Sequence, residues 1–298
     1  MPTLKEIKGR IASVKSTLKI TSAMKLVASA KLRKAQRAIE AMRPYEEQLQ
    51  AMLALVSGGA GTLAPADVEA LGQGRTAIVA VASNSSLCGG FNAGVIAKVR
   101  SVRRPDDVVY AVGRKMADAM RKDGFPSPAD FSALAEHPAY APAAELVEQL
   151  SADLAAGRIA RVLLVYNHFA STARQVPVVE QLLPAMGGQG SCPEASTFFS
   201  ASGQESWPAG GPAASDVILE PGRKELLQAL LPKTLKLKLY AALLDSAAAE
   251  HAARTIAMQT ATDNGENLLA ELTLQYNKGR QQKITAEILD LAGGQAAD

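Results

Sequence analysis

Cysteine is nearly missing: Cys88 and Cys192 are the only two in 298 residues, and they form no Cys-x-x-Cys pair. That excludes a disulfide-stapled scaffold and makes a reducing compartment the expectation. Aromatic residues are also scarce, at 4%, although 48% of the chain is hydrophobic. Aliphatic and alanine-lined interfaces must then supply the core, as in helix-on-helix packing. No apolar run approaches the roughly 18 residues that a membrane-crossing helix needs. The first residues carry a lysine or arginine every few positions with no apolar stretch between them, which is not a secretory signal. The chain is expected to begin at or near Met1 and to sit in the cytoplasm.

Catalytic signatures are missing too. There is no Gly-Lys dipeptide, so no Walker A phosphate loop exists. The glycines near Gly187 do not follow a strand in G-x-G-x-x-G spacing, so the dinucleotide fingerprint is absent. His137, His168 and His251 are scattered, and no G-x-S-x-G elbow accompanies them. His251 falls on a long helical stretch, where packing or exposure explains it. Cys88 precedes Gly89 and Gly90 just after a strand, which reads as a tight turn with a buried thiol. No catalytic residue, cofactor or metal site is expected.

What is present is a charge asymmetry and two very long helical patterns. Residues 1–43 hold eleven basic residues against Glu6 and Glu40, a local charge of +9 in a chain whose total is +3. The remainder is therefore −6, and so basic a block seeks an acidic partner. Leu4, Ile7, Ile11, Val14, Leu18, Thr21, Lys25, Ala28, Leu32, Ala35, Ile39 and Met42 alternate at spacings of three and four. Ten of these twelve are apolar, which is a coiled-coil seam. Pro44 is a candidate kink. Apolar spacing resumes at Leu49, Met52 and Val56, and the glycines at Gly58–Gly61 end the pattern.

From Arg75 the period changes. Short β-branched runs at Thr76–Ala82, Asp107–Val112 and Arg161–Tyr166 alternate with helical stretches near Asn92–Arg103, Lys115–Lys122 and Ala143–Ala156. This alternation predicts a parallel or mostly parallel α/β sheet. Residues 187–216 are rich in Gly, Ser, Pro and Ala and read as a loose loop. Helical character returns from about Arg223, and no proline follows Pro232. Residues 233–291 as one helix would span ~88 Å at ~1.5 Å per residue, and such a helix needs a partner along its length. Ala241, Ala242, Ala247–Ala249, Ala252, Ala253 and Ala257 would let another backbone come close, and the N-terminal helix is the expected partner. The plan is two long helices, 1–58 and 223–292, with a domain at 75–216 inserted between them.

Three stretches carry a resemblance: LKEIKGRIASVKSTLKITSAMKLVASAKLRKAQ at 4–36, SLCGGFN at 86–92, and SAAAEHAARTIAMQTATDNGENLLAELTLQYNKGRQQKITAEILDL at 246–291. They resemble the gamma subunits of F-type ATP synthases. The resemblance implies an α/β fold class: a long antiparallel coiled coil of the N- and C-terminal helices with an inserted Rossmann-like α/β domain. It also implies a rotor shaft with no catalytic site of its own. One copy would thread the ring of catalytic and non-catalytic head subunits and meet an epsilon-type subunit and the membrane rotor ring. Its place would be the cytoplasmic face of the bacterial inner membrane, as a peripheral subunit in proton transport and ATP synthesis.

By motif, Met24 and Lys25 match the segment facing an acidic loop of the catalytic subunits. Arg280 and Gln281 match a pair that hydrogen-bonds catch loops of the ring. Arg254 and Thr285 match polar positions that pack the N-terminal helix near Met24. The middle motif departs from the family, since Asn84 and Ser85 stand where an aspartate and a basic or small residue are usual. The redox-active cysteine insert of the chloroplast branch is absent.

Two other classes fit parts of the chain. A basic coiled coil could bind nucleic acid or act as a scaffold, but it shows no basic fork, aromatic RNA-binding strand or zinc spacing. An enzyme built on the α/β domain lacks a catalytic constellation. The isolated chain should therefore hydrolyse no ATP and bind it weakly or not at all. Micromolar affinity by calorimetry, or hydrolysis that survives removal of contaminating ATPases, contradicts this.

Overall fold

The computed structural model describes residues 3–57, 74–183 and 220–294. The Gly58–Gly61 stop, Cys192 and the 187–216 loop lie outside the described residues. The chain divides into two compact units, residues 1–29 with 254–298 and residues 30–253.

Helix α1 (Leu4–Ser57) runs 54 residues with Pro44 inside it. The proline removes one hydrogen bond but does not end the helix, and Leu49 and Val56 beyond it are both 4% exposed. The last helix of the chain, α6 (Arg223–Gly294), has 72 residues and contains Pro232. It starts ten residues before the 233–291 span read from the sequence. A helix of that many residues needs packing to support it. All twelve seam positions of α1 are buried or half-buried, including Thr21 and Lys25.

In the first unit the helix ends pair antiparallel. Leu18 faces Gly265 and Leu4 faces Gly279, while the Thr262 hydroxyl lies 3.0 Å from that of Thr21. The paired numbers sum to 283 in all three cases, so the register is constant. Thr21 is only 8% exposed, and its hydroxyl donates to the Leu18 carbonyl at 3.1 Å. It can therefore accept from Thr262, and a polar pair sits in an apolar seam without an orphaned donor. Glycine inside a helix costs about 0.8–1 kcal/mol relative to alanine, and this unit carries both Gly265 and Gly279 in α6.

The second unit holds a four-stranded sheet in the order β2–β1–β3–β4. The strands are β1 (Thr76–Val81), β2 (Val108–Val112), β3 (Arg161–Phe169) and β4 (Gln175–Leu183). β1 pairs in parallel with both β2 and β3, while β4 runs antiparallel to β3. β4 escaped the sequence reading because Pro177 lies in it, and a proline removes a ladder donor. At this sheet edge that loss is tolerated.

One face of the sheet packs against α2 (Phe91–Val102) and α3 (Arg114–Lys122) through Val95, Val99, Met116 and Met120. The other face packs against α4 (Ser132–Glu136) and α5 (Tyr140–Ala155) through Leu134, Leu146, Val147 and Leu150. Leu239, Ala242 and Leu243 of α6 join that second core. The result is a doubly wound, Rossmann-like arrangement with the C-terminal helix built into it.

Gly113 joins β2 to α3 with φ +100°, and a Cβ there would run into the Ala82 carbonyl. Gly113→Ala should therefore lower the unfolding free energy by about 2–4 kcal/mol, combining overpacking with positive-φ strain. A denaturation midpoint equal to that of the parent contradicts this.

Candidate partner-contact site on the paired helices

In a doubly wound sheet, ligands bind outside the carboxyl ends of the strands where the connections diverge. Here that point is the end of β1 beside β3, and protein fills it. Cys88 and Phe91 of the β1–α2 turn pack directly on Ala249 and Ala253 of α6. The Asn167 side chain at the end of β3 donates to the Phe91 carbonyl at 3.1 Å. Asp245 of α6 accepts the Phe169 N–H at 3.1 Å and contacts His168 Nδ1 at 2.6 Å. The alanine stripe thus has two partners. Ala248 and Ala252 meet Leu32 and Ala35 of α1, whereas Ala249 and Ala253 close the crevice. The expectation of α1 as the partner captured half of it.

The turn itself is tightly bonded. Cys88 is 1% exposed, and the Asn92 amide donates toward its sulfur at 3.2 Å. Asn92 Oδ1 accepts the Ser83 N–H at 3.1 Å. Asn84 uses both ends of its amide. Its Oδ1 accepts the Arg114 N–H at the start of α3 at 3.0 Å, and its Nδ2 donates to the Ser132 carbonyl at 2.8 Å. An ionised aspartate could make only the first bond. Among the described residues, no group of three or more His, Cys, Asp or Glu side chains could hold a metal.

The exposed chemistry lies on the first unit. Among the described residues, nine of the thirteen exposed large apolar side chains belong to it, including Ile20, Val27, Leu274, Ile284, Ile288 and Leu289. Ile20, Met24 and Val27 follow one another at i, i+4 and i+7 along α1, so they share a face. Apolar residues concentrated on a basic surface mark a protein-binding face. Lys5, Lys8, Arg10, Lys15 and Lys19 are exposed. Neither they nor Lys25 and Arg280 have an ion-pair partner among the described residues.

The residues singled out by motif fall at two levels of this unit. Met24 and Lys25 are half-buried, level with Gln259 and Met258 in the constant register. Arg254 is 8% exposed and stands ~7 Å from that level along the axis. Arg280 and Gln281 are exposed beside the start of α1. Thr285 does not pack near Met24, as the resemblance implied. It lies ~39 Å further along α6, exposed, with its hydroxyl donating to the Gln281 carbonyl at 2.9 Å. The Thr21–Thr262 pair, Asp245 and the glycine contacts were not found from sequence, because each is defined by a residue on a distant segment.

A subunit built on paired helices with a basic, partly apolar outer face is thus the class these features define. Sequence comparison agrees, since the family profile described as ATP synthase matches residues 3–297. The ATP synthase gamma chain of Phocaeicola vulgatus is 46% identical over 305 aligned residues, covering 100% of both chains. That of Bacteroides thetaiotaomicron is 44% identical, covering 99% of each, and that of Flavobacterium johnsoniae is 38% identical, covering 100% and 99%. The chain belongs to the ATP synthase gamma chain family.

It is a rotor-shaft subunit, with catalysis carried by other members of a membrane-bound complex. Family membership does not favour the nucleic-acid reading. The fold matches a rotor chain of the Euglena gracilis mitochondrial ATP synthase with a TM-score of 0.64 at 17% identity, covering 94% of this chain and 98% of that one. A chain in the central stalk/c-ring structure of the Tetrahymena thermophila mitochondrial ATP synthase gives 0.54 at 23%, covering 81% and 99%. No described helix is long and apolar enough to cross a membrane.

The Asp245 clamp should respond to pH. Its hydrogen bond raises the His168 pKa against the opposing effect of burial. A raised imidazole pKa stabilises the fold fully below the unfolded value of about 6.5, and that contribution fades as pH rises through the folded value. Asp245→Asn should therefore cost about 1–3 kcal/mol near pH 6, and the gap from the parent should narrow as pH rises to 9. Denaturant melts showing a gap that is constant or widening with pH contradict this.

Proposed function

We propose that the paired helix ends are the working surface of the shaft, turning inside the ring of catalytic and non-catalytic head subunits. In this reading segments 1–58 and 223–292 form the shaft. Segment 75–216 meets the epsilon-type subunit and the membrane rotor ring, at the cytoplasmic face of the bacterial inner membrane. The observation carrying it is the band of exposed lysines and arginines without ion-pair partners among the described residues, interleaved with exposed Ile20 and Val27. Such a face suits acidic and apolar loops on a surrounding protein. Proton flow turns the shaft, and each turn presents this asymmetric face to the head's three catalytic sites in succession.

The exposure of the individual residues supports a role for each. Lys25, facing an acidic loop, contributes only about 0–1 kcal/mol in a solvated pair, weak enough to be broken at every step. Met24 beside it offers a sliding apolar contact. Arg280 and Gln281 present a planar guanidinium and an amide that can hold carboxylates or carbonyls on catch loops. Arg254, buried, supports α1 from within. Thr285 belongs with the Arg280 level.

Neutralising Lys25 should leave assembly intact and change coupling little. Lys25→Glu or Met24→Lys should slow rotation more, because a repulsion or an added attraction must be crossed at every step. The decisive experiment places one cysteine near Met24 and another on the facing loop of a catalytic subunit. Disulfide formation should stop multi-site ATP hydrolysis, and reduction should restore it. Full turnover with the bond verified contradicts an obligatory rotor.

A further inference from the structure

We propose that Gly265 and Gly279 are positioning residues. Each is a notch in α6 that admits one leucine of α1, and together they set the axial register of the two helices. A Cβ at Gly265 would stand 2.7 Å from Leu18 Cδ2 and 3.3 Å from Leu18 Cγ, and one at Gly279 would stand 3.3 Å from Leu4 Cδ2. Both leucines therefore occupy space that any other residue would claim. The two glycines are 14 residues apart, as are Leu4 and Leu18. That separation is two heptads, so both knob-and-notch pairs keep the same phase along the seam.

The same notches select against slippage by a single repeat. A heptad seam otherwise tolerates sliding by one repeat, about 10 Å, because apolar residues meet apolar residues again. Sliding one way brings Leu18 against Leu272 and Leu4 against Ala286. Sliding the other way brings Leu18 against Met258 and Leu4 against Leu272. In neither register does a leucine find a glycine. The Thr21–Thr262 contact at 3.0 Å lies beside the Leu18 notch and holds the same alignment.

The functional consequence rests on the shaft reading above. Met24 and Arg280 lie on different helices, so only the register fixes the ~32 Å between their levels. The notches thereby set the distance between the two bands that meet the head subunits.

The test uses the assembled ATP synthase complex. Gly265→Leu should cut protons pumped per ATP hydrolysed at least about threefold, and Leu18→Ala in the same chain should restore coupling to within about 1.5-fold of the Leu18→Ala single variant. Gly265→Ala adds a check of sign. Helix propensity alone predicts a higher thermal midpoint, whereas a filled notch gives no gain until Leu18→Ala vacates it. Parental coupling in Gly265→Leu overturns the proposal, as does equal loss with and without Leu18→Ala. If Gly265→Leu fails to assemble, rescue of assembly by Leu18→Ala supports the proposal and failure of rescue overturns it. Failure of the shaft reading looks different, since the chain with Gly265 and Leu18 intact and a cysteine placed near Met24 would then keep full turnover when cross-linked.

Discussion

A long helix cannot stand alone in water, and the organisation of this chain depends on that constraint. Without tertiary packing, the 54 residues of α1 and the 72 of α6 would be marginal. The seam from Leu4 to Met42 supplies that packing, and its twelve positions are withdrawn from solvent even where the residue is Thr21 or Lys25. Small residues do the complementary work on α6. Gly265 and Gly279 admit leucines in the first unit, while Ala248 and Ala252 receive Leu32 and Ala35 in the second. Burial is gained by close backbone approach, so few aromatic side chains are needed.

The same helix occupies the place where a doubly wound sheet opens a crevice. A doubly wound sheet creates a crevice at the carboxyl ends of its strands whether or not a ligand uses it. Ala249 and Ala253 of α6 occupy that place against Cys88 and Phe91, and Asp245 satisfies the Phe169 N–H nearby. The crevice has become an attachment for the shaft. The tight Ser83–Asn92 turn is held by its own hydrogen bonds. Asn84 ties α3 and the Ser132 carbonyl together with two bonds that an aspartate could not both make.

Charge is distributed according to the same division of labour. In the second unit charged side chains form local pairs, such as Arg100 with Asp123 and Lys238 with Glu180. On α1 of the first unit the exposed cations have no ion-pair partners among the described residues, so their field is directed outward. A subunit that must turn against its neighbours benefits from contacts of this kind. Solvated charge pairs are individually weak and are remade easily, whereas a buried interlocking interface would resist rotation.

Periodicity and composition determined the helical ends. The three-four spacing of α1, the proline-free run after Pro232 and the +9 charge of residues 1–43 are local properties, readable without knowing what they touch. The family resemblance of 4–36 and 246–291 was legible for the same reason. Strand β4 was hidden because Pro177 argues against a strand until one knows that the strand lies at an edge. Thr285 carried a motif role that the geometry separates from Met24, since closeness along a motif says nothing about level along a pair of antiparallel helices. Tertiary structure alone decided the constant register, the leucines seated on Gly265 and Gly279, the Thr21–Thr262 contact and the closing of the crevice by α6. Each depends on which residue of one segment stands opposite which residue of another more than 75 positions away, and that is settled by packing the whole seam at once.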